Sequence, residues 1–154
     1  MPHLQLDVPA HYPVSVKRDL AGRLGRLYAE IMQTAASLVH VTFREHDEGG
    51  VWHCTEGVPV TPAAVLSCDI RRGRPPEQRL RLGAALHDAC VKDLGLDPLL
   101  LSVEFTQHSG DEIYGKILVD GVPQGGLAKD WSPEEIQTPL METLRSEARA
   151  NPAS

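Results

Sequence analysis

Apolar positions recur along this chain with two periods, and the two periods alternate. Leu4, Leu6 and Val8 take every second position, the pattern of a strand with one buried face. His11–Pro13 reads as a loop and Ser15 as an N-cap. From Val16 to Met32, Leu20, Leu24, Leu27 and Ile31 recur at helical spacing, which predicts an amphipathic helix. The β-branched run Val39–Phe43 predicts a second strand. Residues 44–62, with Gly49, Gly50, Gly57 and Pro59, read as a connector with a short hairpin around Val51–Cys54. The signals then return in the same order. Residues 64–70 predict a strand, Arg71–Arg74 a turn, and Pro75 the first turn of a helix. That helix runs to Leu94 with Leu82, Leu86 and Ala89 on one face, Gly95 follows its end, and 99–105 predict another strand.

The two runs share one register. Val8, Leu20, Leu24, Val41 and Phe43 recur 62 residues later as Ile70, Leu82, Leu86, Val103 and Phe105. Each run is a β-α-β unit whose right-handed crossover makes its strands parallel neighbours. Paired edge to edge, the units predict an α+β fold: a four-stranded sheet with both helices on one face. The other face needs a cover, and an apolar sheet face left open predicts oligomerisation. The chain divides into a first unit (2–45), a connector (46–63), a second unit (64–106) and a C-terminal hairpin and helix (107–154), all in one domain. In the last part, Ile113–Val119 predicts a strand, Asp120-Gly121 a turn, and Ser132 the N-cap of a helix ending near Ala148. Residues 151–154 read as a disordered end.

Composition narrows the function classes. Hydrophobic residues are 42% and charged residues 23% of 154, as in an ordinary soluble domain. A net charge of −6 argues against a nucleic-acid partner, though not against a local arginine cluster. Three cysteines without CxxC spacing, no secretory signal and no apolar run of bilayer length predict a cytoplasmic protein without a membrane partner. His46, His53 and Cys54 match no zinc spacing, and no GxGxxG or P-loop occurs, so neither a metal nor a cofactor is expected.

Three features carry candidate chemistry. Arg71, Arg72 and Arg74 lie between a strand end and a helix N-terminus, where anions gather, and arginine forks grip carboxylates. A solvated basic turn or an intersubunit salt bridge would look the same. Pro2 becomes a secondary amine if Met1 is removed, and an amine with a pKa near neutrality is a general base. Alone, it reads as a strand start. Glu104, set in an apolar strand, and Glu112, after Asp111, are carboxylates able to orient a water or shuttle a proton.

Pro2, the duplicated β-α-β pattern, the segment Asp69-Ile-Arg-Arg-Gly-Arg-Pro-Pro-Glu-Gln78, the stretch Ile113–Lys116 and the tail with Trp131 together resemble the tautomerase superfamily over residues 2–145. Within it the chain is most similar to the cis-3-chloroacrylic acid dehalogenase group, and more distantly to malonate semialdehyde decarboxylase. The resemblance implies a homotrimer, an amino-terminal proline as acid or base, and small 2-oxo or unsaturated carboxylates as substrates. It implies Pro2 as that proline and Arg71 with Arg74, or Arg72 with Arg74, as the carboxylate grip. Tyr28 stands where the dehalogenase has a histidine, and Glu104 where it has a tyrosine. Ile113 takes the slot of its glutamate, with Glu112 one residue earlier. These departures favour keto–enol tautomerisation, with Tyr28 and Glu104 or Glu112 polarising substrate or water. Hydration, dehalogenation or decarboxylation of a C3 acid is the alternative within enzymes. A catalytically silent trimeric binding protein is the alternative outside them.

Overall fold

The computed structural model describes residues 2–54, 56–57 and 59–132. Four strands form the main sheet: β1 (His3–Val8), β2 (His40–Glu45), β5 (Ala64–Arg71) and β6 (Leu101–His108), in the order β2-β1-β5-β6. Two small hairpins, β3 (Trp52–His53) with β4 (Thr61–Pro62) and β7 (Tyr114–Val119) with β8 (Val122–Leu127), complete the strands. The helices α1 (Val14–Met32) and α2 (Pro76–Leu94) occupy equivalent positions 62 residues apart.

The duplication sets the topology. β1 is parallel to β2 and β5 is parallel to β6, each joined through its helix, while β1 and β5 pair antiparallel. Gln5 lies across from Ser67 in that central pairing. The 62-residue offset also maps Gln5 onto Ser67, so an approximate two-fold axis passes through this pair. Leu4, Leu6, Val8, Leu66, Cys68 and Ile70 point to one face and meet Leu20, Leu24, Leu82 and Leu86, all 0–1% exposed. Each such leucine contributes about 1.5–3 kcal/mol through burial.

Several boundaries differ from the sequence pattern, each for a local reason. Pro13, not Ser15, caps α1: its fixed φ suits the last extended residue, and its carbonyl accepts the first helical bond from Lys17 N at 3.2 Å. Its equivalent, Pro75, does the same for α2, with Pro76 as the first helical residue. β6 begins at Leu101 because Leu99 and Leu100 are held in a turn by the Asp97 side chain (2.8 Å) and carbonyl (3.0 Å). The predicted 51–54 hairpin forms through Trp52–His53, but its partner is Thr61–Pro62. Asp120 and Gly121, both with positive φ, make the tight β7–β8 turn.

The helix-free face is polar, which corrects the expectation of an open apolar surface. His3, Gln5, Asp7, Thr42, Ser67, Asp69, Glu104, Thr106 and His108 occupy its alternate positions. Strict alternation with helices on one side leaves the other side free to meet water. The helix expected from Ser132 and the disordered end fall on residues 133–154, outside the described residues. No helix among the described residues is long and apolar enough to cross a membrane.

Candidate active site

The antiparallel β1–β5 pairing brings Pro2 to the arginine turn. His3 pairs with Asp69, so the same register carried one residue further sets Pro2 opposite Ile70, where β5 runs out into Arg71–Arg74. Pro2 is buried, and its carbonyl accepts from His40 N at 3.0 Å. At the opposite end of the two-fold, the positions equivalent to Arg71, Arg72 and Arg74 are Pro9, Ala10 and Tyr12, and Ala64 replaces Pro2. The candidate residues therefore gather at one end of the sheet.

The three arginines have different settings. Arg72 is exposed, while its backbone joins two segments: its N–H donates to His108 O (2.7 Å) and its carbonyl accepts from Trp131 N (2.8 Å). Arg71 is half-buried. Arg74 is only 6% exposed, lies 4.5 Å from the centre of the Trp131 ring, and donates from Nη1 to the Met32 carbonyl at the end of α1. That contact satisfies a helix-end carbonyl with a cation, and Gln78 Nε2 does the same for Ile31 O at 2.7 Å.

Tyr28 is buried beside these cations. Burial pushes its hydroxyl well above the ordinary phenol range, and Arg74 and Arg71 offset only part of that, so it remains a neutral hydrogen-bond donor. Glu104 lies on the helix-free face across from Ser67, exposed. Glu112 Oε2 accepts from Ser109 N at 3.1 Å, closing a capping box in a short 3-10 turn.

A strap, residues 128–131, closes over the turn. Ala128 N donates to Ile113 O (2.9 Å), Asp130 Oδ1 accepts from Gly110 N (2.8 Å), and Trp131 rests on Arg74. Two glycines permit this approach. A Cβ on Gly73, whose φ is +113°, would stand 2.1 Å from Trp131 O, and one on Gly110 would stand 1.9 Å from the Lys129 carbonyl carbon. The Trp131 indole N–H is buried with no acceptor among the described residues.

On the helix-free side of the same end lies an open cleft of about 530 Å³, walled by His3, His40, Asp69, His108, Glu112 and Tyr114 among others. Asp69 Oδ1 accepts from Thr106 Oγ1 (2.9 Å) and from His108 Nδ1 (2.5 Å). His3 Nε2 and Thr42 Oγ1 hydrogen-bond at 2.7 Å. Glu112 is thus brought to the cleft, Pro2, Tyr28 and Arg74 are buried at the same end, and Glu104 is not a cleft wall. The histidines and Asp69 escaped the sequence reading, although Asp69 and His108 have equivalents in Asp7 and His46. His46 is committed to Asp7 at 2.8 Å, and no group of three or more metal-binding side chains forms among the described residues.

A duplicated β-α-β unit, with both helices on one face of a four-stranded sheet and the starting strand set against the second unit's first strand, is the fold of the tautomerase superfamily. Solved structures share it at 18–20% identity. A member of the cis-3-chloroacrylic acid dehalogenase family matches at a TM-score of 0.66 and 20% identity, over 96% of this chain and 99% of that one. A fused 4-OT symmetric trimer matches at 0.62 and 19%, over 70% and 86%. Malonate semialdehyde decarboxylase matches at 0.59 and 18%, over 71% and 87%. No protein-family model and no curated protein matches the chain.

Proposed function

We propose that this chain is a tautomerase-superfamily enzyme that moves a proton on a small 2-oxo or unsaturated carboxylate, with keto–enol tautomerisation as its reaction. The observation that carries this is the strand register that sets Pro2 beside the Arg71–Arg74 turn. With Met1 removed, the Pro2 amine takes a proton from the carbon next to the carbonyl. Cations nearby and burial both favour its neutral, basic form. Arg71 or Arg72, with Arg74, holds the carboxylate and steadies the enolate. Tyr28, as a buried neutral phenol, donates to the substrate oxygen, and Glu104 or Glu112 orients water. The chemical class fits a similar solved protein inactivated by 2-oxo-3-pentynoate. The working form is a cytoplasmic homotrimer of single-domain chains, in line with the symmetric trimer among its fold relatives.

Glu112 at the cleft wall favours a second reading, addition of water to a C3 acid with hydration, dehalogenation or decarboxylation as the outcome. A silent binding protein is the reading if Met1 stays, because the proline nitrogen would then be an amide. Intact mass and turnover decide. The purified protein is expected to lack one methionine mass and to turn over phenylpyruvate, and Pro2→Ala to abolish that turnover. Unchanged turnover in Pro2→Ala ends the proline's role.

A further inference from the structure

Between residues 2–46 and their equivalents 62 positions on, every identical pair is apolar or proline except Asp7/Asp69 and His46/His108. In each half the two residues are hydrogen-bonded across the ends of the parallel strands, His46 Nε2 to Asp7 at 2.8 Å and His108 Nδ1 to Asp69 at 2.5 Å. A lock between strand ends would account for both pairs. It does not account for their surroundings. His46 is followed by the turn 47–50, where a Cβ on Gly50 would fall 2.3 Å from His46 Cβ, and it lies at the end of the sheet away from Pro2 and the arginine turn. His108 forms a wall of the 530 Å³ cleft, whose other walls include His3, His40 and Glu112, the last with its carboxylate pinned by Ser109. Asp69 takes the Nδ1 hydrogen bond, which fixes the ring and leaves Nε2 as the exchangeable position, with no partner among the described residues.

We propose that His108, oriented by Asp69, is a second acid–base residue of the site, exchanging a proton through Nε2 with the oxygen of a small oxo acid in the cleft. This rests on the proton-transfer function proposed above. The Pro2 nitrogen takes the proton from carbon, and the C–H electron pair becomes the carbon–carbon π bond. The carbonyl π pair moves to oxygen, which takes the Nε2 proton of the His108 imidazolium. One proton leaves carbon and one reaches oxygen; Pro2 ends cationic and the imidazole neutral, and nothing is oxidised. β1 and β6 lie two strand spacings apart, about 10 Å, with Asp69 on the strand between them. Asp69 is the positioning residue. Arg71 on β5, Asp111 and Glu112 in the 3-10 turn, Tyr114 on β7, and His3 and His40 on β1 and β2 are the other titratable groups around the ring.

The test uses the full chain with phenylpyruvate as probe. His108→Gln is expected to lower kcat/KM about a hundredfold, Asp69→Asn about tenfold with a displaced limb of the pH–rate profile, and His46→Gln, the equivalent at the other end of the sheet, less than about twofold. Equal losses in His108→Gln and His46→Gln overturn the proposal in favour of a strand lock. A binding measurement covers the case of a wild type that does not turn over the probe. Phenylpyruvate is expected to shift the ring resonances of His108 and not those of His46, and an unmoved His108 overturns the proposal. Turnover kept in Pro2→Ala but lost in His108→Gln removes the proline and keeps the histidine. The reverse removes the histidine alone.

Discussion

Individual side chains of the sheet and core are held by two kinds of force, and pH separates them. Asp7 shows the electrostatic kind. Burial pushes its carboxyl up, but hydrogen bonds from His46 and Gln5 and the charges of His46 and Arg44 outweigh that, leaving it below its ordinary value of 3.8. A carboxyl depressed in the folded state stabilises the fold above that ordinary value and loses the contribution as pH falls through the folded one. Asp7→Asn is therefore expected to cost about 1 kcal/mol at pH 7 and much less near pH 3, read from urea midpoints at the two pH values. A gap that does not narrow refutes the electrostatic account. Cys68 and Cys90 show the other kind: burial drives both thiols up to about 12, Cys90 adding to the rise at Cys68 and Asp93 to that at Cys90, and both are core side chains.

Among elements, the strap and the arginine turn are one mechanical unit. Gly73→Ala places a methyl against the Trp131 carbonyl at a φ that side chains rarely adopt, so the strap must lift off. The expected cost is about 2–4 kcal/mol in unfolding free energy, with Trp131 fluorescence moving toward that of exposed indole. A variant with wild-type stability and fluorescence would show that the strap does not depend on this contact. The strands, both helices and the 62-residue repeat were legible because alternation and helical spacing are local signals and the core repeats them. The capping prolines were half legible: Pro75 was placed in the first turn, whereas Pro13 was passed over for the more familiar Ser15. Pro2, Tyr28, Arg71 and Arg74 were nameable through resemblance. The Arg74–Met32 bond and the Trp131 stack were not, since they join residues 42 and 57 positions apart and no periodicity encodes them. The Asp–His pairs are legible in the repeat, because they are its polar identities among otherwise apolar or proline ones.

For the whole molecule, the polar helix-free face changes the reason to expect a trimer. An apolar face would force assembly by burial, whereas a face of His3, Gln5, Asp7, Asp69 and His108 can stand in water. The strand edges β2 and β6 remain the parts of the main sheet that invite a partner, since each pairs on one side only. Light scattering is expected to give about three times the 16.8 kDa of one chain, and a charge placed on the β6 edge at Thr106 to lower that mass. A mass of one chain would rule out the trimer.

The two-fold axis through Gln5 and Ser67 also divides the chain's contacts by range. Within each half, strand, helix and strand meet over short stretches of sequence, while the central strand pairing joins residues 58–66 positions apart. Closing that distance costs chain entropy before any contact across it is made. Each half pairs its own strands over 37 residues, and seating Pro2 beside the arginine turn needs the longer-range pairing of β1 with β5. The candidate site is therefore completed only when the two halves pair, by a contact that neither half can make alone.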